Sequence, residues 1–126
     1  YGVGTPGTAA VVPTLGLSAP ALLGTTTFLQ GASMLPNTAA LLAFNLAPAD
    51  FPALGVQILV DPTAAALLVE PVTGAGTASW SFAVPSSLAL DNVWLYAQAL
   101  PIDPAGPAGI FAASRGLRFR SCISAP

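Results

Sequence analysis

The chain has no histidine, no lysine and a single cysteine, and only 6% of its 126 residues are charged. Each shortage removes a class of function. Without imidazole or a side-chain amine, the usual general-base, Schiff-base and imidazole–metal chemistries have no donor, so no enzyme is expected and no cofactor or metal is called. Lys–Asn isopeptide crosslinks cannot form. Cys122 alone cannot close an intrachain disulfide. The only cations on side chains are Arg115, Arg118 and Arg120. Nucleic acid is held by many clustered cations that displace its counterions, so no nucleic-acid partner is expected. The scarcity of charge also excludes ordinary disorder, which belongs to polar, charged chains, whereas 54% of this one is hydrophobic.

Long apolar runs are missing as well. A membrane-spanning helix needs about 20 consecutive apolar residues. The longest strongly apolar stretch, residues 38–47, is closed off by Pro36 and Pro48, and thirteen scattered prolines leave no room for a longer one. An outer-membrane barrel would use strands of about 10 residues with a polar lumen face. The candidate strands are shorter, and their second faces carry Ala, Ser and Thr. No membrane span is expected. No Asn-x-Ser/Thr sequon is present, so N-glycosylation is not expected either.

What is present is alternation. Residues 77–84 (TASWSFAV) place Ala78, Trp80, Phe82 and Val84 on one face and Thr77, Ser79, Ser81 and Ala83 on the other, the period of a half-buried strand. Residues 56–60, 25–31 (around Phe28), 93–100 and 117–123 alternate in the same way, the last setting Leu117, Phe119, Ser121 and Ile123 against Arg118, Arg120 and Cys122. Asp61-Pro62, Asp103-Pro104 and Gly106-Pro107 read as loops, and Gly74-Ala75-Gly76 joins two strands as a short hairpin would. Residues 38–46 and 64–70 are rich in Ala and Leu, which favour helix, and Ser86 or Ser87 could cap a helix over 86–100. Strand is the reading for all three. A strand and turn about every ten residues predicts an antiparallel β-sandwich, Ig-like or jelly-roll-like, of about seven to nine strands. Phe28, Leu42, Ile58, Trp80, Phe82, Leu95 and Phe119 are the expected core.

Residues 1–13 differ from the rest. Gly2, Gly4 and Gly7 precede a short apolar run over residues 9–12 that has no turn pairing it with a neighbour. This segment is expected to be an extended N-terminal arm on a sandwich domain of residues 14–126, or else that sandwich's first strand. A start at Tyr1 is what removal of a secretory signal would leave, and the absence of lysine suits an extracellular or cell-surface protein.

The order YGVGTPG, PTLGLSAPALLGTTTFLQ, GVQILVDP, WSFAVPSSLALDNVWLYAQAL and GLRF resembles a family of secreted bacterial β-sandwich modules, often found at the C-termini of large surface proteins. The likeness runs over nearly the whole chain, and its motifs are structural ones. It implies a sandwich fold and no catalytic residue set. Where that pattern carries two cysteines this chain has Thr5 and Val56. The resemblance thus implies a lost disulfide that would have tied the arm to the strand at 56–60, a link typically contributing about 2–4 kcal/mol.

The remaining residues offer few chemistries. Asp50, Asp61, Asp91 and Asp103 sit in loop-like sequence, where calcium ligation competes with turn formation; turns are favoured, because no D-x-D-x-D-G spacing occurs. Trp80, Trp94 and Tyr96 could stack on sugars but are read as core. Cys122 alternates with two arginines, a setting that favours a reactive thiol or an intersubunit disulfide; a buried, inert thiol is the other reading. So few charges solubilise a monomer poorly. The expected function is a structural subunit of an extracellular fibre, a homo-oligomer assembling head to tail, with its interface at Tyr1, Gly2, Val3, Gly4, Ala9, Val11, Val12, Arg118 and Arg120; residues 1–14 are expected either to leave their own sandwich and add a strand to the open edge of a neighbour, the favoured reading, or to fold on their own subunit. The alternative is a cell-surface module that binds a glycan or a protein.

Overall fold

A computed structural model of the chain describes residues 1–19, 21–53, 55–63, 65–84, 91–107 and 109–122. It is all-β, with ten strands and one 3-10 turn at Thr8–Ala10 among the described residues. The strands are β1 (Thr14–Leu17), β2 (Ala21–Leu22), β3 (Thr26–Ala32), β4 (Ala39–Asn45), β5 (Pro48–Ala53), β6 (Val56–Val60), β7 (Ala66–Pro71), β8 (Ala78–Ala83), β9 (Val93–Pro101) and β10 (Leu117–Cys122). Both Ala/Leu-rich segments are strands, β4 and β7. The helical alternative for 86–100 fails over its second half, where β9 lies; residues 86–90 are outside the described residues. So are Ile123 and the Cys122 side chain.

A three-stranded sheet, β1-β3-β8, packs on a five-stranded one, β2-β10-β9-β4-β7, and β5-β6 form a separate ribbon. Every pairing is antiparallel except β2 with β10, which is parallel. The sandwich core joins Leu29 and Trp80 from the small sheet to Leu42, Leu95, Ala97, Ala99 and Phe119 from the large one. Alanine at 97 and 99 is fully buried; its small size lets the indole of Trp80 and the Phe44–Phe82–Phe119 cluster fill the space between sheets.

Of the seven expected core residues, Leu42, Trp80, Leu95 and Phe119 are buried, and Ile58 and Phe82 are half-buried. Phe28 is not core: it is 44% exposed. β3 alternates with Thr27, Leu29 and Gly31 inward, because Leu29 stands opposite Trp80 on the inner face while Phe28 opposes Ser81 on the outer one. The turn at Gly74-Ala75-Gly76 is also not a hairpin. It carries the chain from β7, paired with β4, to β8, paired with β3, and so crosses between sheets. Gly76 adopts φ +79°, and a Cβ there would fall 2.7 Å from the Met34 carbonyl oxygen, so the corner needs glycine.

The β5-β6 ribbon lies over the outer face of the large sheet at one end. Gln98, fully buried on β9, fixes it there: its Nε2 donates to the carbonyls of Gln57 and Ser114, and its Oε1 accepts from the Leu59 N–H. Val56, Leu100 and Ala113 form a second small core beneath. The other end of that outer face has no such cover among the described residues.

Candidate assembly surfaces

The expected interface residues fall into two separate groups. The first is the N-terminal segment, which lies along the body of its own chain. The Tyr1 amine donates to Gly116 O and the Gly116 N–H returns a bond to Tyr1 O. The Tyr1 hydroxyl donates to Leu59 O, and its ring meets Tyr96 edge-on at 5.8 Å. Gly116 makes the seat, because a Cβ there would fall 2.3 Å from Tyr1 Cζ. Arg115 Nε donates to Gly2 O, and Thr5 exchanges backbone bonds with Ala113. Burial, reinforced by Tyr96 and eased by Arg118, pushes the Tyr1 phenol up to about 12.

Farther along, Thr8 is clamped by Asp103. Its N–H donates to Oδ2 at 2.7 Å and its hydroxyl to Oδ1 at 2.8 Å, while Ala105 N–H donates to Oδ1. Burial raises the Asp103 carboxyl, but these three donors outweigh it and hold it below the ordinary value. Asp103 is therefore a turn-maker, as is Asp61, whose Oδ1 accepts from Thr63 N–H two residues on.

The run at 9–12 forms no strand. Ala9 and Ala10 both take φ 58°, doubling the chain back so that Gly7 N–H reaches Val11 O. Ala9, Val11 and Val12 are exposed, as is Val3 at 72%, whereas Gly4, against Val12, is partly covered. Thr5 lies beside the 56–60 strand: Gln57 N–H points to its Oγ1 at 3.4 Å, and Thr5 and Val56 line one cleft.

The second group is Arg118 and Arg120 on β10. Both stand on the outer face of the large sheet, where their guanidiniums lie 4.6 and 5.0 Å from the Trp94 ring centre. Trp94 is directly opposite Arg120 in register and is 41% exposed, which overturns its reading as core. The reason is phase: Leu95, Ala97 and Ala99 point inward, so Trp94 and Tyr96 point out. Tyr96 is half-covered by Tyr1, whereas over Trp94 lie the two arginines.

A third surface escaped the sequence. β7 is exposed at every residue, with Leu67 at 63% and Val69 at 61%. It is the outermost strand of the large sheet and overhangs the narrower small sheet. On its inner side Trp80 Nε1 donates to Leu68 O at 3.2 Å, and Glu70 and Pro71 border an open cleft shared with Leu17, Gln30 and Ser79 of the small sheet. Val72 N–H bonds Thr38 O, and antiparallel alternation from there turns the backbone groups of Leu67 and Val69 away from β4. The signal available was the run ALLVE, read as strand; three bulky apolar residues in succession mark a strand with no polar face.

Among the described residues no three His, Cys, Asp or Glu side chains gather as a metal site, and no helix is long and apolar enough to cross a membrane. No family model matches the chain, and no curated protein matches it significantly.

Proposed function

We propose that this chain is a structural subunit of an extracellular filament that assembles by self-association. The observation that carries the reading is β7: a regular, apolar strand at a sheet edge, exposed on both faces. Soluble monomers blunt such edges with charges, prolines or covering loops, because an open ladder recruits another chain. Here the edge holds one charge, Glu70, and one proline, Pro71 at its end. The sparse charge of the whole chain works in the same direction.

Residues 1–13 need not change subunit for this to happen. Their partners all lie within reach in one chain, and exchange would remake the same bonds in a neighbour. The substitutions Thr5→Cys and Val56→Cys together decide the route on a non-reducing gel. With Cys122→Ser in the same chain, so that no other thiol can crosslink, a monomer-sized oxidised band from filaments keeps the segment on its own subunit, which is the expected result; a ladder that collapses on reduction assigns it to the neighbour. The filament itself is tested by negative-stain microscopy and light scattering of the purified chain over rising concentration. Polymers are expected, and a monodisperse monomer throughout would refute the reading.

Trp94 supports a second reading, a module that binds a glycan or a protein at the cell surface. An exposed indole between guanidiniums is a stacking platform for a sugar or an anionic group. That reading requires a stable monomer whose glycan binding is lost in Trp94→Ala.

A further inference from the structure

The charges on the large sheet are arranged as a pair of complementary ends. Glu70 stands on β7, its last strand on one side, and its carboxylate makes no hydrogen bond or ion pair among the described residues. Arg118 and Arg120 stand on β10, at the far side of the same sheet, with their guanidiniums against the Trp94 ring and no carboxylate paired with them among the described residues. The other charges are engaged or differently placed: Asp50 accepts from Gln57, Asp61 and Asp103 hold turns, Asp91 has a partner, and Arg115 is bonded to Gly2. Both ends also keep an open edge. Among the described residues β7 has no strand beyond it, and β2 covers β10 only at Ser121 and Cys122, leaving residues 118–120 uncovered by any described strand.

We infer that successive copies of the chain join through these ends: the β7 edge of one copy seats on the Trp94–Arg118–Arg120 corner of the next, and the Glu70 carboxylate meets the guanidiniums. This inference rests on the filament reading and supplies its contact. The division of labour is physical. Register with β4 puts Leu68 on the same face of β7 as Glu70 and puts Leu67 and Val69 on the other, so Leu68 loses water against the indole and the arginine stems beside the charge pair, which gives affinity, since long cationic side chains bury their methylenes while their heads stay polar. The carboxylate–guanidinium pair gives direction, because it opposes like ends. Two different surfaces in contact form a heterologous interface, and one that does not close into a ring propagates as a helical filament. A two-fold pairing of β7 with a second β7 would cover the apolar strand too, but it would leave the arginine corner without an acid and end growth at a dimer.

Charge reversal at each end tests this. Glu70→Arg puts a cation on both ends of every subunit; Arg118→Glu with Arg120→Glu puts an acid on both. All three positions are exposed, and circular dichroism checks that each variant keeps the parent's strand signature. Each variant alone should need at least about tenfold more protein to polymerise than the parent. An equimolar mixture should polymerise near the parent's concentration, because every junction between unlike subunits then pairs opposite charges. Variants that assemble as well as the parent overturn the contact, as does a mixture that stays unassembled. A parent that stops at a dimer overturns it in favour of β7 pairing with itself. A parent that remains monomeric refutes the filament reading first. If a reversal fails to fold, Glu70→Gln and Arg118→Gln with Arg120→Gln replace it; their assembly should lose most of the salt sensitivity the parent shows, and an unchanged salt response overturns the pairing.

Discussion

Residues 1–13 and strand β7 are opposites. The first contain no strand, yet hydrogen bonds from Tyr1, Thr5 and Thr8 pin them to the body at Gly116, Ala113 and Asp103. The second is a regular six-residue strand in full register with β4, and not one of its residues is buried. Regular geometry and tertiary attachment are therefore separate properties. A ladder on one side satisfies half of a strand's backbone and does nothing for its side chains. An irregular segment whose polar groups meet fixed partners is fastened without any ladder.

The strongest way to break this contrast is to remove what steadies β7 from inside. Trp80→Ala takes out a buried indole and its bond to Leu68 O, and should cost about 3–5 kcal/mol of unfolding free energy in urea titrations. A loss below about 1 kcal/mol would mean that the small sheet does not pack as described. Next is the rivet under the N-terminal seat. Gln98→Leu leaves Leu59 N–H and the carbonyls of Gln57 and Ser114 without their partner, and a cost of about 3 kcal/mol is expected. Limited proteolysis should then cut residues 1–13 well before β7, reversing the order their exposure alone suggests.

Asp103 sharpens the comparison through pH. Its carboxyl titrates below the unfolded value of about 3.9, so its ionised form adds stability that is fully present above that value. The contribution fades as pH falls through the lower folded value. Stability measured at neutral and at strongly acidic pH should differ less in Asp103→Asn than in the parent, and the N-terminal segment should be the first part to gain amide exchange in acid. An equal pH response in both proteins would sink this assignment. Smaller still is the folding effect of Leu67→Lys with Val69→Lys, which should shift stability by no more than about 0.5 kcal/mol while assembly is lost. Tyr1 acts only in alkali. Its phenol, raised to about 12, favours the folded form fully below the unfolded value of about 10, and that support is lost as pH climbs through 12. Ultraviolet titration should resolve one tyrosine ionising late, and Gly116→Ala should bring it back toward the ordinary value.

Much of the fold was legible because strand alternation is written into neighbouring residues. In β8 Ala78 and Trp80, and just after it Val84, are buried as their spacing implies, and in β10 Phe119 turns in while Arg118 and Arg120 turn out. The missing histidine and lysine likewise bounded the available chemistry without any structure. Alternation has two phases, however, and a strand with apolar residues in both does not say which faces in. Phe28 and Leu29 are adjacent, and only the position of Trp80 across the ladder placed Leu29 inside. Trp94 and Leu95 present the same ambiguity, settled by Ala97 and Ala99, whose small side chains fit between the sheets. Nor does the sequence around residue 70 reveal that β7 pairs with β4 and ends a sheet. Strand order is fixed by contacts between residues far apart in the chain, and so is the exposure that makes β7 an assembly surface. The composition determined a charge-poor, β-forming chain; the tertiary structure alone decided which of its apolar residues were left outside.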